Sequence, residues 1–210
     1  MKPPQSRVFA ETYQRYLQEI AEIDFLSRAD VLGVAAENGV LLIPLYDKVY
    51  TFTRQGITPP GGERLTPAMQ VMICKYILSC PVEFPADMGE LVTYREFKDS
   101  GPLTSYFTTN TNKTLESAFA GNIQGLRARA IAVGGKVVSS EIYDLALQFH
   151  AFPRIPVYLN FNDRDDTFPA TCSILYRSSA ALFLDMECLA MTGTLLTGKL
   201  IGSGTSQSLT

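Results

Sequence analysis

Over residues 143–150 the apolar positions fall on every second residue, with Tyr143, Leu145, Leu147 and Phe149 alternating with Asp144, Ala146, Gln148 and His150. A period of two is the mark of a strand with one buried and one wet face, because successive side chains point to opposite sides of a sheet. Ile155, Val157, Leu159 and Phe161 continue the pattern, and Cys172, Ile174 and Tyr176 supply a third run. The period then lengthens, since Met186, Leu189, Ala190, Gly193, Leu196 and Leu200 recur at the steps of one helical face. This stretch, residues 142–200, predicts an antiparallel three-stranded meander followed by a helix packed on it.

The first third repeats the order. Strands are expected at 31–36, 40–46 and 49–53, the first two joined through Asn38-Gly39, a pair that accepts the positive φ of a tight hairpin. Thr66 and Pro67 then supply an N-cap and a first-turn proline for a helix with a buried stripe of Met69, Met72, Ile73, Tyr76, Ile77 and Cys80, stopped by Pro81. The second strands of the two units contain "IPLY" (43–46) and "IPVY" (155–158), which raises the question of a duplicated unit. Pro44 and Pro156 each belong at an edge or at a strand start, where no ladder bond is lost.

An amphipathic helix is expected over residues 6–27, on the spacing of Phe9, Tyr13, Tyr16, Leu17, Ile20 and Ile23. The middle, 81–135, reads as a partly helical insert: "LVTYREFKD" alternates like a strand as far as Asp99, and Leu115 to Val133 carries helical spacing up to Gly134-Gly135. The fold class is therefore α+β, with two three-stranded meander units each followed by a helix, an N-terminal helix and the insert. One domain spans 1–201, with lobes at 1–80 and 136–201, and the polar stretch 202–210 is expected to be a flexible tail.

Of the 210 residues 46% are hydrophobic and 19% charged, the composition of a folded protein. A formal charge of −3, with no dense cluster of Lys and Arg, offers no field for a polyanion, so nucleic acid is not an expected partner. The longest apolar run, Val40 to Tyr46, is far short of a membrane span, and "MKPPQSRVF" has no signal-peptide core, so the expected location is the cytoplasm, away from membranes. Cys74, Cys80, Cys172 and Cys188 fall in no CxxC pair, and three lie in apolar-periodic segments; reduced, packed thiols are expected.

No GxSxG motif or Cys/His spacing is present, and His150 is the sole histidine, so nucleophilic catalysis has no support. Neither "PPGGER" nor "VGGKV" matches a phosphate loop. Two groups remain as candidates. Tyr94, Arg95, Glu96 and Phe97, with Arg154, Asp165 and Asp166, combine aromatic walls with charges of both signs, as a cleft for a small polar ligand would. Alternatively Asp163, Asp165, Asp166 and Glu187 could hold a hard cation through carboxylate oxygens. Each has a plainer reading: Asn and Asp favour turns, and Asp185 with Glu187 suits a helix start.

The segment "PRIPVYLNFNDRDDTFPATCSILYRSSAALFLDMECLAM" resembles the family known as domain of unknown function 3786. The likeness rests on Pro153-Arg154-Ile155-Pro156, on Asp165, Asp166, Phe168 and Pro169, on Glu187, and on the middle motif "TYREFKD" at 93–99. Thr167 and Arg177 stand where family members commonly carry acids. The resemblance implies no activity, but it implies a link to anaerobic one-carbon metabolism, because some members adjoin iron–sulphur segments related to corrinoid proteins. The resulting expectation is a cytoplasmic accessory protein that binds a small ligand or a protein partner; the alternative is a metal-assisted hydrolase using the acidic loop. The cofactor, the partner and whether the chain is an enzyme stay open here.

Overall fold

A computed structural model describes residues 5–62 and 65–202. Helix α1 (Gln5–Ala21) ends earlier than the periodicity predicts, and after it Asp24 organises a new turn. Its carboxylate accepts from Ser27 N at 3.4 Å and its carbonyl from the Ser27 hydroxyl at 2.8 Å, which starts the 3-10 turn Leu26–Arg28.

The strand expected over 31–36 is instead a helical turn, α2 (Ala29–Leu32), with only Ala35–Glu37 extended as β1. Gly33, at φ 69°, ends α2 in the left-handed region, which a glycine enters without strain. β1 joins β2 (Val40–Leu45), β3 (Lys48–Thr53) and β4 (Gly56–Thr58) in an antiparallel sheet of order β1-β2-β3-β4. Asn38 (φ 50°) and Gly39 (φ 80°) make the expected tight hairpin. Pro44 pairs with Val49 on one side only, because β1 reaches no further than Leu42.

Helix α3 (Pro67–Leu78) starts as expected: the Thr66 hydroxyl accepts from Met69 N at 3.3 Å. The insert departs more. After β5 (Leu91–Thr93) the chain turns through a 3-10 turn, Tyr94–Glu96, instead of continuing as a strand. It then runs through α4 (Gly101–Thr108), a π-helical turn Thr109–Lys113 and α5 (Thr114–Phe119), breaks at Gly121 (φ 78°), and resumes as α6 (Ile123–Ala132).

The second sheet has five strands in the antiparallel order β5-β9-β8-β7-β6: β6 (Lys136–Val138), β7 (Leu145–Phe152), β8 (Ile155–Asn162) and β9 (Thr171–Arg177), with β5 borrowed from the insert. The alternation along β7 holds from Leu145 to His150, with the odd residues in the core. The expected wet face is narrower than predicted, because Ala146 on that side is also buried; beyond His150 the register shifts, so that Phe152 pairs with Ile155 and is buried on the core side. Tyr143 precedes the strand. Pro156 pairs with His150 and lies beyond the reach of β9. The two units are not copies: one sheet has four strands and the other five, and a helical turn occupies the place of the first unit's opening strand.

Helix α7 (Met186–Ile201) ties the pieces together. Tyr46 from the first sheet, Tyr94 from the insert and Tyr176 from the second sheet donate hydroxyls to the carbonyls of Thr192 (2.7 Å), Met186 (2.8 Å) and Leu189 (3.4 Å). Buried residues from Tyr13 to Leu200 form one hydrophobic cluster. The sheets meet where Tyr46 N donates to Ala151 O at 3.0 Å. Residues 203–210, most of the expected tail, lie outside the described residues, and among these no helix is long and apolar enough to cross a membrane.

All four cysteines are unpaired, three of them buried and Cys80 half-buried. Burial pushes the Cys74 thiol up to about 12 and raises the other three. In the native protein a thiol-specific chromogenic reagent at pH 8 should therefore react with Cys80 first, and in denaturant all four should react. Fewer than four after unfolding without reductant would show a disulfide.

Candidate functional site

The "TYREF" stretch contributes less to a cleft than its composition suggests. Tyr94 is buried and stacks on Phe107 with ring centroids 4.4 Å apart; Phe97 is buried edge-on to Tyr176. Both are core residues. The Glu96 carboxylate accepts from Thr93 N (2.7 Å) and the Thr93 hydroxyl (2.6 Å), and these bonds hold it below the ordinary carboxylate range. Glu96 thus caps its own turn. Arg95 is exposed.

The acidic loop between β8 and β9 is built of local bonds. Asp165 Oδ1 accepts from Thr167 N and Phe168 N, both at 2.7 Å, and the donors from Phe168 and then Thr167 lower its pKa. Asp163 Oδ1 accepts from Gly121 N at 2.5 Å and Arg164 N at 2.8 Å, fastening the loop to the break between α5 and α6. Asp166 is exposed. The turn reading accounts for Asp163 and Asp165.

The predicted groups do not converge. Arg154 sits in the β7–β8 hairpin and Asp165 and Asp166 beyond the other end of β8, eight residues or roughly 25 Å away at the usual strand rise. Among the described residues no ion pair joins Arg95 or Arg154 to the acidic loop. Nor do Asp163, Asp165, Asp166 and Glu187 make a metal-binding group: no three His, Cys, Asp or Glu side chains among the described residues come together as one. Glu187 lies in the first turn of α7 on the wall of a different cavity.

Arg154 does meet other functional side chains. On the outward face of the five-stranded sheet, Gln148 and His150 of β7 lie beside Tyr158 and Pro156 of β8, and Arg177 closes β9. The segment 81–90 folds over this end, held by Ser178 N to Glu90 O (2.9 Å) and Ser179 N to Met88 O (3.2 Å). Between them is a cavity of about 410 Å³, lined by Phe84, Asp87, His150, Arg154, Tyr158 and Arg177 among others.

Both guanidiniums are held in place. Arg154 Nε donates to Val31 O (3.0 Å) and Nη2 to Asp30 O (2.8 Å), and its plane covers the Phe84 ring at 4.1 Å. Arg177 Nη1 donates to Gly89 O (3.0 Å), and its guanidinium lies 5.8 Å from the Tyr158 ring centre. Among the described residues neither is in a salt bridge. Asp87 is the one acid in the lining among the described residues, and its Oδ1 accepts from Gly89 N at 2.9 Å. Burial, with Lys136 nearby, holds the His150 pKa below its ordinary value. The cavity presents two fixed cations with unused N–H donors, a neutral imidazole and one acid engaged in a turn.

Sequence reasoning found Arg154 but missed Phe84, His150, Tyr158 and Arg177 as members of one site. Arg177 did carry a signal, a cation where acids are common, but nothing in the pattern placed the 81–90 segment over the sheet.

The fold and this cavity define an α+β protein of two antiparallel sheets joined through a terminal helix. The chain belongs to the family described as Domain of unknown function (DUF3786), which matches residues 24–199. No curated protein and no solved structure matches it.

Proposed function

We propose that the protein is a cytoplasmic accessory protein that binds a small anion, without turning it over, in the cavity between the 81–90 segment and the five-stranded sheet. One observation carries this reading: Arg154 and Arg177 face one cavity, each anchored on backbone carbonyls and neither neutralised by a carboxylate. Anchoring before the ligand arrives lowers the ordering cost of binding, and paired guanidiniums suit carboxylate or sulfate-like groups that take two hydrogen bonds at once. Among the predicted residues only Arg154 enters this site; Tyr94, Arg95, Glu96, Phe97, Asp165 and Asp166 do not line it. The accessory role beside anaerobic metabolism rests on the family resemblance alone.

Titration calorimetry with sulfate and succinate tests the reading. Arg177→Met should weaken both at least tenfold while leaving the melting temperature within a few degrees, because Arg177 makes a single backbone bond. Equal affinity in the variant, or no binding to wild type at millimolar anion, would reject the site.

His150 gives the binding a pH dependence with a defined sign. It faces Arg154, Arg177 and Asp87 across the cavity and Lys136 on the neighbouring strand. In the free protein its pKa is depressed, so it is neutral at pH 7; a bound anion favours the imidazolium. Sulfate affinity should therefore rise as pH falls below 6.5, the ordinary histidine value. Sulfate does not titrate there itself, and His150→Gln should flatten the profile.

A further inference from the structure

A second cavity lies where α1, α3, α4 and α7 meet. It has a volume of about 470 Å³, within the range that takes a small organic ligand. Its walls are mainly apolar, with Phe9 from α1, Met69 and Met72 from α3, Tyr106 from α4 and Met191 from α7, and among the described residues Glu187 is the only charged one in the lining. We infer that this cavity is a binding site for a small hydrophobic monocation, an alkyl or arylalkyl amine, with its ammonium group at Glu187.

Charge placement selects the class. Two acids open α7, and they differ in what they meet. Asp185 caps the helix by accepting from Cys188 N at 2.9 Å, and Lys75 answers its charge at 3.2 Å. Glu187, two residues further on, has no ion pair among the described residues and lines the cavity. The partial positive charge of the helix start offsets only part of it. An anionic ligand would meet this carboxylate without a compensating cation among the described residues, whereas an ammonium would gain a charged partner at the rim of an apolar pocket. Tyr106, 52% exposed, also lines this cavity and adds an aromatic ring of the kind that attracts a cation. The three methionines are flexible, polarisable side chains that adapt to the shape of an alkyl or aryl body.

Nothing in this site is shared with the anion cavity, so the two readings stand or fall separately. The test compares three probes of similar shape and different charge, 2-phenylethylamine, 2-phenylethanol and 3-phenylpropionate, by titration calorimetry on the full chain. The amine should bind at least tenfold more tightly than the alcohol, and the carboxylate should bind most weakly. Glu187→Gln, on an exposed helix turn, should keep the fold and bring the amine down to the alcohol's affinity, while Glu187→Asp should restore part of the difference. Equal binding of amine and alcohol to the wild type would overturn the inference by showing an apolar pocket without charge selection. Absence of any amine binding at millimolar concentration, or an amine preference that survives in Glu187→Gln, would overturn it equally.

Discussion

Replacing Tyr76 by alanine should lower the unfolding free energy by about 3–5 kcal/mol, the usual cost of deleting a large buried aromatic. Tyr76 is fully buried on α3 and stacks on Phe152 with centroids 4.3 Å apart and planes 12° from parallel. Its hydroxyl donates to Leu32 O at 2.6 Å and accepts from Arg154 N at 3.2 Å. One side chain thus ties the end of α2 and the β7–β8 hairpin to α3. Tyr76→Phe separates the ring from the hydroxyl. It keeps the stacking but leaves a carbonyl and an amide without their partner, a loss of about 1–3 kcal/mol. Urea unfolding at 25 °C measures both variants. A Tyr76→Phe midpoint equal to wild type would mean that water replaces the hydroxyl at no cost. Because Arg154 N is one of the two partners, Tyr76→Phe should also weaken sulfate binding, although Tyr76 does not line the cavity.

The second large effect is at Gly193 in α7. A Cβ there would lie 2.5 Å from Phe107 Cε2, 3.0 Å from Phe107 Cζ and 3.0 Å from the Tyr176 hydroxyl. Two opposed terms set the sign. A side chain in place of glycine improves helix propensity by up to about 1 kcal/mol. Overpacking costs about 1–3 kcal/mol and more where neighbours cannot move. Phe107 cannot retreat easily, since Tyr94 stacks on its other face at 4.4 Å. Overpacking should win, and Gly193→Val should lower stability by about 3 kcal/mol. Phe107→Leu in the same chain should recover part of that loss, a non-additivity expected of residues in contact. Strict additivity of the two changes would show that the clash is not between these residues.

Much of this architecture can be read locally because local chemistry decides it. Thr66 and Pro67 begin α3 through a cap and a fixed φ, and Asn38-Gly39 turns the first hairpin through positive φ values, with no distant residue required. The Asp165 turn closes on amides two and three residues away, so its identity as a turn was also legible. The alternation from Leu145 to His150 assigns a face of the sheet to each residue of that run, since a one-residue slip would reverse every side chain.

Residues 31–36 depart from their strand-like pattern for a physical reason. Val31, Leu32 and Val34 have strand character, but Gly33 ends a helical turn whose carbonyls at Asp30 and Val31 are satisfied by a guanidinium more than 120 residues away. The residues of the predicted cleft lie apart for a related reason. Composition can show that Tyr94, Arg95, Asp165 and Arg154 are polar or aromatic, but not that a whole strand separates the hairpin from the acidic loop.

By itself the sequence determined the α+β class, the starts of α3 and α7, the hairpin and which face of β7 meets the core, because each follows from periodicity or from bonds between near neighbours. Tertiary structure alone decided that β5 from the insert would pair with β9, that the 81–90 segment would cover Arg154 and Arg177, and that Glu187 would face an apolar cavity apart from the acidic loop. Those outcomes depend on which surfaces meet across long stretches of chain, and periodicity fixes the side a residue faces without naming what lies opposite.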